Sequence, residues 1–188
     1  MNLIIFGPPG AGKGTQADYI VKKYNLYQLS TGALLRKEIK NTTELGKEIS
    51  SIINSGTLVS DDVVKKLVEN FISDEKYKNR LIFDGYPRNL IQAKTLNELL
   101  NEYGQKIDLV LKLSVSLETI KKRISERRMV EKRADDNEEI AVKRYQTYEK
   151  STEPIIEYYK KLNLLKVIDG ERSIDQINKE ISDIISVI

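Results

Sequence analysis

Short apolar runs alternate with longer segments of helical period along most of the chain. The run Leu3–Phe6 is followed by apolar residues at the i, i+3, i+4, i+7 spacing of an amphipathic helix, namely Ala17, Ile20, Val21 and Tyr24. The same pairing of a short run with a helical segment recurs over residues 81–100, 107–124 and 164–188. Alternation of this kind predicts a parallel sheet with helices on both of its faces.

The stretch from residue 29 to residue 74 departs from this alternation, because its pattern is helical throughout. We therefore expect a helical flap, residues 30 to about 60, inserted between two strands. Residues that favour helix N-caps occur in this stretch at Ser30, at Thr42 or Thr43, and at Ser60.

The composition restricts the chemistry that the protein can perform. At 188 residues the chain is expected to fold as one domain. It contains no Cys and no His, which excludes disulfide scaffolds, cysteine-ligated zinc, thiolate nucleophiles and imidazole relays. Any reaction must therefore use carboxylates, Lys, Arg, hydroxyls, backbone amides or the substrate's own groups.

The charge is nearly balanced, with 31 basic and 28 acidic residues and a net charge of +3. This balance does not predict a nucleic-acid-binding surface. The longest apolar run, Leu3–Phe6, is far shorter than the roughly 20 residues that a membrane-spanning helix needs. No basic stretch precedes it, so it does not have the pattern of a signal peptide either. We therefore expect a cytoplasmic protein that binds neither membrane nor nucleic acid.

A glycine-rich loop follows the first predicted strand and precedes the first predicted helix. Residues 7–15 read GPPGAGKGT and fit the pattern G-x-x-x-x-G-K. Backbone N–H groups of such a loop converge on phosphate oxygens, and Lys13 would reach the terminal phosphates. The alternative is a glycine-rich turn with a solvated lysine, but the position between strand and helix favours phosphate binding. The hydroxyl comes one place later than in the commonest form, at Thr15, so we do not expect it to ligate Mg²⁺ directly.

An acidic residue, Asp84, ends the predicted strand that begins at Leu81. A carboxylate at the carboxyl end of a parallel strand, beside a phosphate loop, is where P-loop enzymes hold Mg²⁺ and its waters. The alternative is an Asp in an ordinary strand-ending turn.

Two arginines are placed to recognise a second phosphate. Thr31 begins the predicted flap with a hydroxyl and free first-turn amides, and Arg36 follows one turn later. Arg88 follows Pro87, which restricts its approach. Two planar guanidinium groups such as Arg36 and Arg88 can clamp one phosphate, although a simple N-cap followed by a surface Arg would have the same sequence.

Four segments share motifs with one known family. They read GPPGAGKGTQ at residues 7–16, LSTG at 29–32 with Arg36 a turn later, DGYPR at 84–88 with Gln92 following, and RADDN at 133–137 with Lys143 and Arg144 after it. In this order they resemble the ATP loop, the AMP-site helix start, the D-G-[FY]-P-R…Q signature and the ATP-closing segment of the adenylate kinases, which are nucleoside-monophosphate kinases. The resemblance covers essentially the whole chain.

The resemblance implies a P-loop NTPase fold in the α/β class, with a five-stranded parallel sheet, helices on both faces, a helical AMP-binding insertion and a very short lid. It divides the chain into a core of residues 1–29, 61–127 and 137–188, the insertion at about 30–60 and the lid at about 128–136. The implied reaction is ATP + AMP = 2 ADP, by direct attack of the AMP phosphate on the γ-phosphate of ATP. Such a reaction needs no protein base, so the absence of His is no obstacle.

The resemblance also implies which residues form the site. The catalytic set is Lys13, Arg88, Arg123, Arg127, Arg133 and Arg144. The ATP site comprises Gly10, Ala11, Gly12, Lys13, Gly14, Thr15, Arg123 and Arg127. The AMP site comprises Thr31, Gly32, Arg36, Val59, Gly85, Arg88, Gln92, Arg133 and Arg144. Asp84 would hold the nucleotide's Mg²⁺ through water, no zinc is expected, and the enzyme would be a monomer whose partners are ATP, AMP and ADP.

The choice of arginine supports this site. The chain has only nine Arg against 22 Lys, and six of the nine fall on these motif positions. Planar bidentate recognition of phosphate favours Arg, because Lys acts only as a point charge. Arg123 and Arg127 are also four residues apart, on one side of a predicted helix and beside its apolar stripe, which favours a cleft over open water.

Two features depart from the family pattern. The charged patch at residues 127–136 has no apolar period, and only Met129–Lys132 separates Arg128 from Arg133, where long-form relatives carry a lid of a few tens of residues. This tip also lacks the glycines of the usual short lid, R-G-x-x-S-G-R. Ala33 stands where an acidic residue usually follows T-G. We therefore expect a short-form enzyme whose lid closes through its charged ends.

Three alternative functions fit the sequence less well than an adenylate-kinase-like enzyme. A UMP/CMP kinase has a similar short lid, but its members typically carry Ala at the position of Thr31 and Asn at that of Gln92, so both residues here favour adenine. A P-loop switch protein would carry an N-K-x-D-type guanine signature, which the chain lacks. A catalytically dead interaction protein would be expected to lose Lys13, Asp84 or Arg88, and all three are present.

Overall fold

The computed structural model describes residues 1–55, 57–131 and 138–188. Five parallel strands form one sheet in the order β2-β3-β1-β4-β5. The strands are β1 Leu3–Phe6, β2 Tyr27–Ser30, β3 Leu81–Asp84, β4 Leu109–Ser114 and β5 Leu165–Asp169. Because β1 lies at the centre, between β3 and β4, the loop that follows it opens at the crevice where doubly wound sheets bind ligands.

Helices connect the strands and cover both faces of the sheet. They are α1 Lys13–Tyr24, α2 Thr31–Lys40, α3 Glu44–Asn54, α4 Asp61–Ile72, α5 Leu90–Glu102, α6 Leu117–Glu131, α7 Glu138–Lys161 and α8 Ile174–Ile185, with a short 3₁₀ helix at Glu75–Tyr77. The α/β class and the parallel sheet with helices on both faces agree with the expectation from the apolar pattern.

The core consists of two apolar layers, one on each side of the sheet. Alternate residues of the central strand point to opposite layers, with Ile4 and Phe6 in one and Leu3 and Ile5 in the other. The first layer packs against α2, α3, α4, α5 and the C-terminal part of α7. The second packs against α1, α6, α8 and the N-terminal part of α7. Burial of β1 on both faces explains why its sequence is a continuous apolar run instead of an alternating one.

The predicted helix caps begin helices α2, α3 and α4 at Ser30, Thr43 and Ser60. The Ser30 hydroxyl accepts a hydrogen bond from the Ala33 N–H at 3.4 Å, and the Thr43 hydroxyl accepts one from the Gly46 N–H at 3.0 Å. Side-chain acceptors of this kind satisfy N–H groups that have no partner within the helix. The three caps divide the predicted helical stretch into separate helices.

Two elements were not singled out from the sequence, and one patch differs from expectation. Strand β2 is only four residues long and lies at the edge of the sheet. Helix α7 contains Pro154, which interrupts a pattern that otherwise has helical spacing. The charged patch expected to be irregular from residue 127 is instead helical up to Glu131, because α6 continues through it. The remainder of the predicted lid, residues 132–136, lies outside the described residues.

The contact between α2 and α3 predicts a stability effect at Gly46. A Cβ at this buried position would lie 2.5 Å from the carbonyl carbon of Glu38 and 2.8 Å from the backbone nitrogen of Ile39. Neither backbone atom can move without separating the helices. We expect Gly46→Ala to lower the free energy of unfolding in urea by about 1–3 kcal/mol, the usual cost of overpacking. Ser51→Ala, on the exposed side of α3, is the matched control, and equal stability of the two variants would contradict the packing argument.

Candidate active site

The glycine-rich loop between β1 and α1 curls around its own lysine. Gly10 and Gly12 have φ angles of 86° and 94°, in the left-handed region that side chains other than glycine rarely adopt. The Lys13 ammonium donates hydrogen bonds to the carbonyl oxygens of Gly7 at 2.7 Å and Pro8 at 3.1 Å. Because Gly12 is the N-cap of α1, the helix N-terminus also points its free N–H groups into this loop. The loop therefore has the geometry of a phosphate cradle.

Burial and neighbouring cations make Lys13 a weaker base than usual. Desolvation lowers the pKa of its ammonium from 10.5 to about 8. The Asp84 carboxylate opposes this pKa shift, whereas Arg88, Arg144 and Arg127 add to it. Burial is therefore the main cause of the shift, and three arginines lie close enough to Lys13 to add to it.

The guanidinium of Arg88 lies in the same positive field. Burial lowers its pKa from 12.5 to about 10, with Arg144 and Arg36 acting in the same direction and Asp84 against it. Its Nε donates to the carbonyl oxygen of Gly85 at 2.6 Å. Arg88 therefore remains charged near neutral pH and is held without a carboxylate partner among these contacts.

A tight turn after β3 joins Arg88 to the start of α2. Gly85 has a φ of 79°, and its carbonyl oxygen also accepts a hydrogen bond from the Thr31 hydroxyl at 2.9 Å. A Cβ at Gly85 would lie 3.0 Å from the Thr31 oxygen and 3.2 Å from a guanidinium nitrogen of Arg88. Gly85 thus permits a close approach that any larger residue would prevent.

Arg123 connects helix α6 to the phosphate loop. Its guanidinium donates to the carbonyl oxygens of Ala11 at 3.3 Å and Gly170 at 2.9 Å. Arg127, one turn further along α6, is close enough to Lys13 to lower the pKa of its ammonium. The i, i+4 pair predicted from the sequence therefore faces the cradle.

A second cavity opens beside the cradle, between α2, α3, α4, α5 and α7. It combines three guanidinium groups with apolar side chains, which suits a ligand that carries an anion and a flat ring. The lining residues are Thr31, Gly32, Leu35, Arg36, Ile53, Thr57, Leu58, Val59, Val64, Arg88, Gln92 and Arg144. Seven of them belong to the set expected at the AMP site, and Gly85 lies in the adjoining turn.

Asp84 ends β3 next to the cradle, at the position expected of a metal-binding carboxylate. Its Oδ2 accepts a hydrogen bond from the Gln28 side chain at 3.0 Å, and its charge raises the pKa of Lys13. Strand register places it opposite Ser30 of β2 and Ile5 of β1. Within the described ranges no three Asp or Glu residues are grouped to hold a metal ion.

Two polar residues that the sequence analysis did not identify support Gln92. Its amide oxygen accepts from the Arg88 N–H at 2.7 Å, and its amide nitrogen donates to Asp61 at 2.6 Å. Asn89 is the N-cap of α5 and accepts from the Gln92 N–H at 2.8 Å. An Asn before an apolar helical run is a usable cap signal, whereas nothing in the sequence links Asp61 to a residue 31 positions away.

The remaining predicted residues are distributed as follows. Gly14 and Thr15 are exposed in the first turn of α1, and Ala11 is buried below them. Arg133 lies outside the described residues, as do Asp135 and Asp136. Across residues 1–55, 57–131 and 138–188, no helix has the length and apolar character needed to cross a membrane.

Comparison with known proteins gives a consistent family. The family model for adenylate kinase matches residues 5–164. The adenylate kinase of Pelagibacter ubique (strain HTCC1062) is 46% identical, with 100% of both chains covered. Those of Prochlorococcus marinus (strain MIT 9301) and Caulobacter sp. (strain K31) are 45% and 40% identical, covering 96% and 100% of both chains. The chain is related to these proteins over its full length, and it places a phosphate cradle beside an arginine-lined cavity. It therefore belongs to the adenylate kinase family.

Proposed function

We propose that the protein transfers a phosphoryl group reversibly between ATP and AMP, giving two ADP. The observation that carries this proposal is the position of the arginine-lined cavity next to the phosphate cradle. Arg88 and Arg144 line the cavity and also lower the pKa of Lys13 in the cradle. A phosphate bound in the cradle and a phosphate bound in the arginine-lined cavity would therefore lie close together, next to the same cationic side chains.

The chain's own residues contribute positioning and charge. Lys13 and the loop amides would hold the ATP phosphates, while Arg36, Arg88 and Arg144 would hold the AMP phosphate. The AMP phosphate is largely a dianion near pH 7 and needs no base to attack the γ-phosphorus. Preorganised cations lower the barrier because they do not reorganise as charge shifts between the two nucleotides. Arg123 and Arg127 complete the set on the ATP side, and Arg133 is retained from the family motif.

Asp84 fits the role of a Mg²⁺ partner when the ion arrives with ATP. Mg²⁺ keeps most of its waters and binds through one or two carboxylates plus substrate phosphates. Among the hydrogen bonds of the described residues, only Oδ2 of Asp84 is used, by Gln28. The ion supplies charge neutralisation at the phosphates, and Asp84 would orient one of its waters. Zinc is not expected, since the chain has no Cys or His.

We also propose domain boundaries, an oligomeric state and a cellular location for the enzyme. Residues 30 to about 60 would form the AMP-side insertion and about 128–136 the ATP-side lid, on a core of 1–29, 61–127 and 137–188. The enzyme is proposed to be monomeric and cytoplasmic. The family resemblance supports both, and the cysteine-free composition suits a reducing compartment. The near balance of charge supports small-molecule partners instead of nucleic acid.

A panel of acceptors tests the proposed reaction. With ATP as donor and a coupled assay of ADP formation, we expect kcat/KM for AMP to exceed the values for UMP, CMP and GMP by at least about a hundredfold. A site that hydrogen-bonds the base rejects the mismatched edges of UMP and GMP, whereas discrimination against CMP depends on the size of the cavity. The UMP/CMP kinase alternative predicts the reverse order. Equal activity on all four monophosphates would refute selection through Gln92.

Substitution of two site cations tests their role in the reaction. Lys13→Met and Arg88→Lys should each lower kcat by about a hundredfold or more, the usual loss for one preorganised donor. Lys22→Met is the matched control, since this lysine is exposed on α1 and its loss should leave kcat unchanged. A variant that raised only KM would show that the cation binds substrate without favouring the transition state.

The lowered pKa of Lys13 predicts a pH dependence. In the free enzyme the ammonium loses its proton as the pH rises through about 8, so kcat/KM for ATP should fall above that pH. Bound phosphates favour the charged amine, so the fall in kcat should occur at higher pH. Lys13→Arg should abolish the fall in kcat/KM, because guanidinium stays protonated there. If this variant keeps the wild-type profile, another group is responsible.

A further inference from the structure

The Gln92 amide has a fixed orientation, because its two neighbours have opposite hydrogen-bonding character. The Asp61 carboxylate can only accept, and it lies 2.6 Å from the amide nitrogen. The Arg88 backbone N–H can only donate, and it lies 2.7 Å from the amide oxygen. A half-turn of the amide would bring its oxygen against the carboxylate and its N–H group against another N–H. The reversed orientation is therefore excluded by electrostatics, without reference to any ligand.

Asp61 is itself held in place. It begins α4, and both oxygens of its carboxylate lie 3.2 Å from the side-chain nitrogen of Asn89. Asn89 also caps α5 by accepting from the Gln92 N–H. Gln92 is only 4% exposed, so water offers its amide few alternative partners. The three side chains thus join the first turns of α4 and α5 at the wall of the arginine-lined cavity.

We propose that Asp61 is a specificity-determining residue, which acts by orienting Gln92 and not by touching the nucleotide. The inference rests on the proposed function in one respect, that Gln92 reads the base. A primary amide offers two N–H donors and two acceptor lone pairs. In the described part of the chain, one donor is taken by Asp61 and one lone pair by Arg88, which leaves one of each for a ligand in the cavity.

The remaining donor and acceptor match only one kind of base edge. They pair with an amino group beside an unprotonated ring nitrogen, as in adenine. They do not pair with a carbonyl beside a ring N–H, as in a 6-oxopurine. A freely turning glutamine could read either edge, so this selectivity belongs to the orientation, which Asp61 and the Arg88 N–H fix together. Asp61 is the partner that can be changed by substitution, because the other is a backbone group. Cytosine presents the same edge as adenine, and its exclusion depends on the size of the cavity.

Inosine monophosphate is the appropriate probe, since it differs from AMP in having the reversed edge on the same purine. For the wild-type enzyme we expect a strong preference for AMP in kcat/KM. Asp61→Ala should reduce the AMP/IMP ratio by about tenfold or more, because the amide can now turn. Asp61→Asn should retain part of the ratio, since its amide oxygen can still accept. KM for ATP should stay unchanged in both variants, which a general structural defect would not allow.

Asp62→Ala is the matched control, because Asp62 is exposed in the same first turn and carries the same charge. If the wild-type enzyme does not prefer AMP over IMP, base reading by Gln92 fails and the inference fails with it. A different outcome overturns only the orientation argument. In that case wild type prefers AMP and Gln92→Ala loses the preference, but the Asp61 variants keep an AMP/IMP ratio within twofold of that of Asp62→Ala. If Asp61→Ala does not fold, the AMP/IMP ratio of Asp61→Asn tests the inference. The NMR signal of the Gln92 side-chain proton that is donated to Asp61 should also shift between wild type and Asp61→Asn.

Discussion

Backbone carbonyl oxygens hold three of the cations on which the site depends. Lys13 donates to Gly7 and Pro8, and Arg88 donates to Gly85. Arg123 donates in the same way to the carbonyls of Ala11 and Gly170. A carbonyl dipole fixes the direction of a cation without cancelling its charge, whereas a carboxylate would do both. The cations are thus oriented before any nucleotide arrives and keep most of their attraction for phosphate. Burial is the main cause of the lowered pKa values of Lys13 and Arg88, and the carbonyl contacts do not reverse it.

The sheet determines where these carbonyls lie. Gly7, Gly85 and Gly170 directly follow β1, β3 and β5, and the carboxyl ends of parallel strands meet at one edge. Each position requires glycine for a local reason. A Cβ at Gly170, for example, would lie 3.2 Å from the Ser114 carbonyl oxygen, and Gly85 has a positive φ. The topology therefore turns three separate loops into one set of acceptors around the phosphate site.

The sequence was informative where function depends on local spacing. The loop around Lys13 and the DGYPR segment are contiguous, so their chemistry can be inferred before the fold is known. The pairing of Asp61 with Gln92 could not be inferred, because it joins the first turns of two helices and an Asp there looks like an ordinary favourable charge at a helix N-terminus. Strand β2 was obscured because its sequence, YQLS, is not an apolar run and only Leu29 in it is buried, and α7 was obscured by Pro154.

Recognition of the phosphates and recognition of the base would thus depend on different physical interactions. Phosphates would be attracted chiefly by positive charge, which acts over distance, and the oriented guanidinium groups would add directional hydrogen bonds. In the proposed function, the base would be read through the Gln92 amide, whose hydrogen bonding depends almost entirely on orientation. Holding Lys13 in a buried site destabilises the free protein. Its pKa falls to about 8 in the folded state, so its charged form opposes folding below that pH. Stability increases as the pH rises from about 8 toward 10.5, the pKa of the lysine in the unfolded chain. Polyanion binding offsets this cost, because it stabilises the charged form in the folded state alone. A carboxylate placed against Lys13 would remove the cost together with much of the binding energy, which explains why carbonyls perform the task.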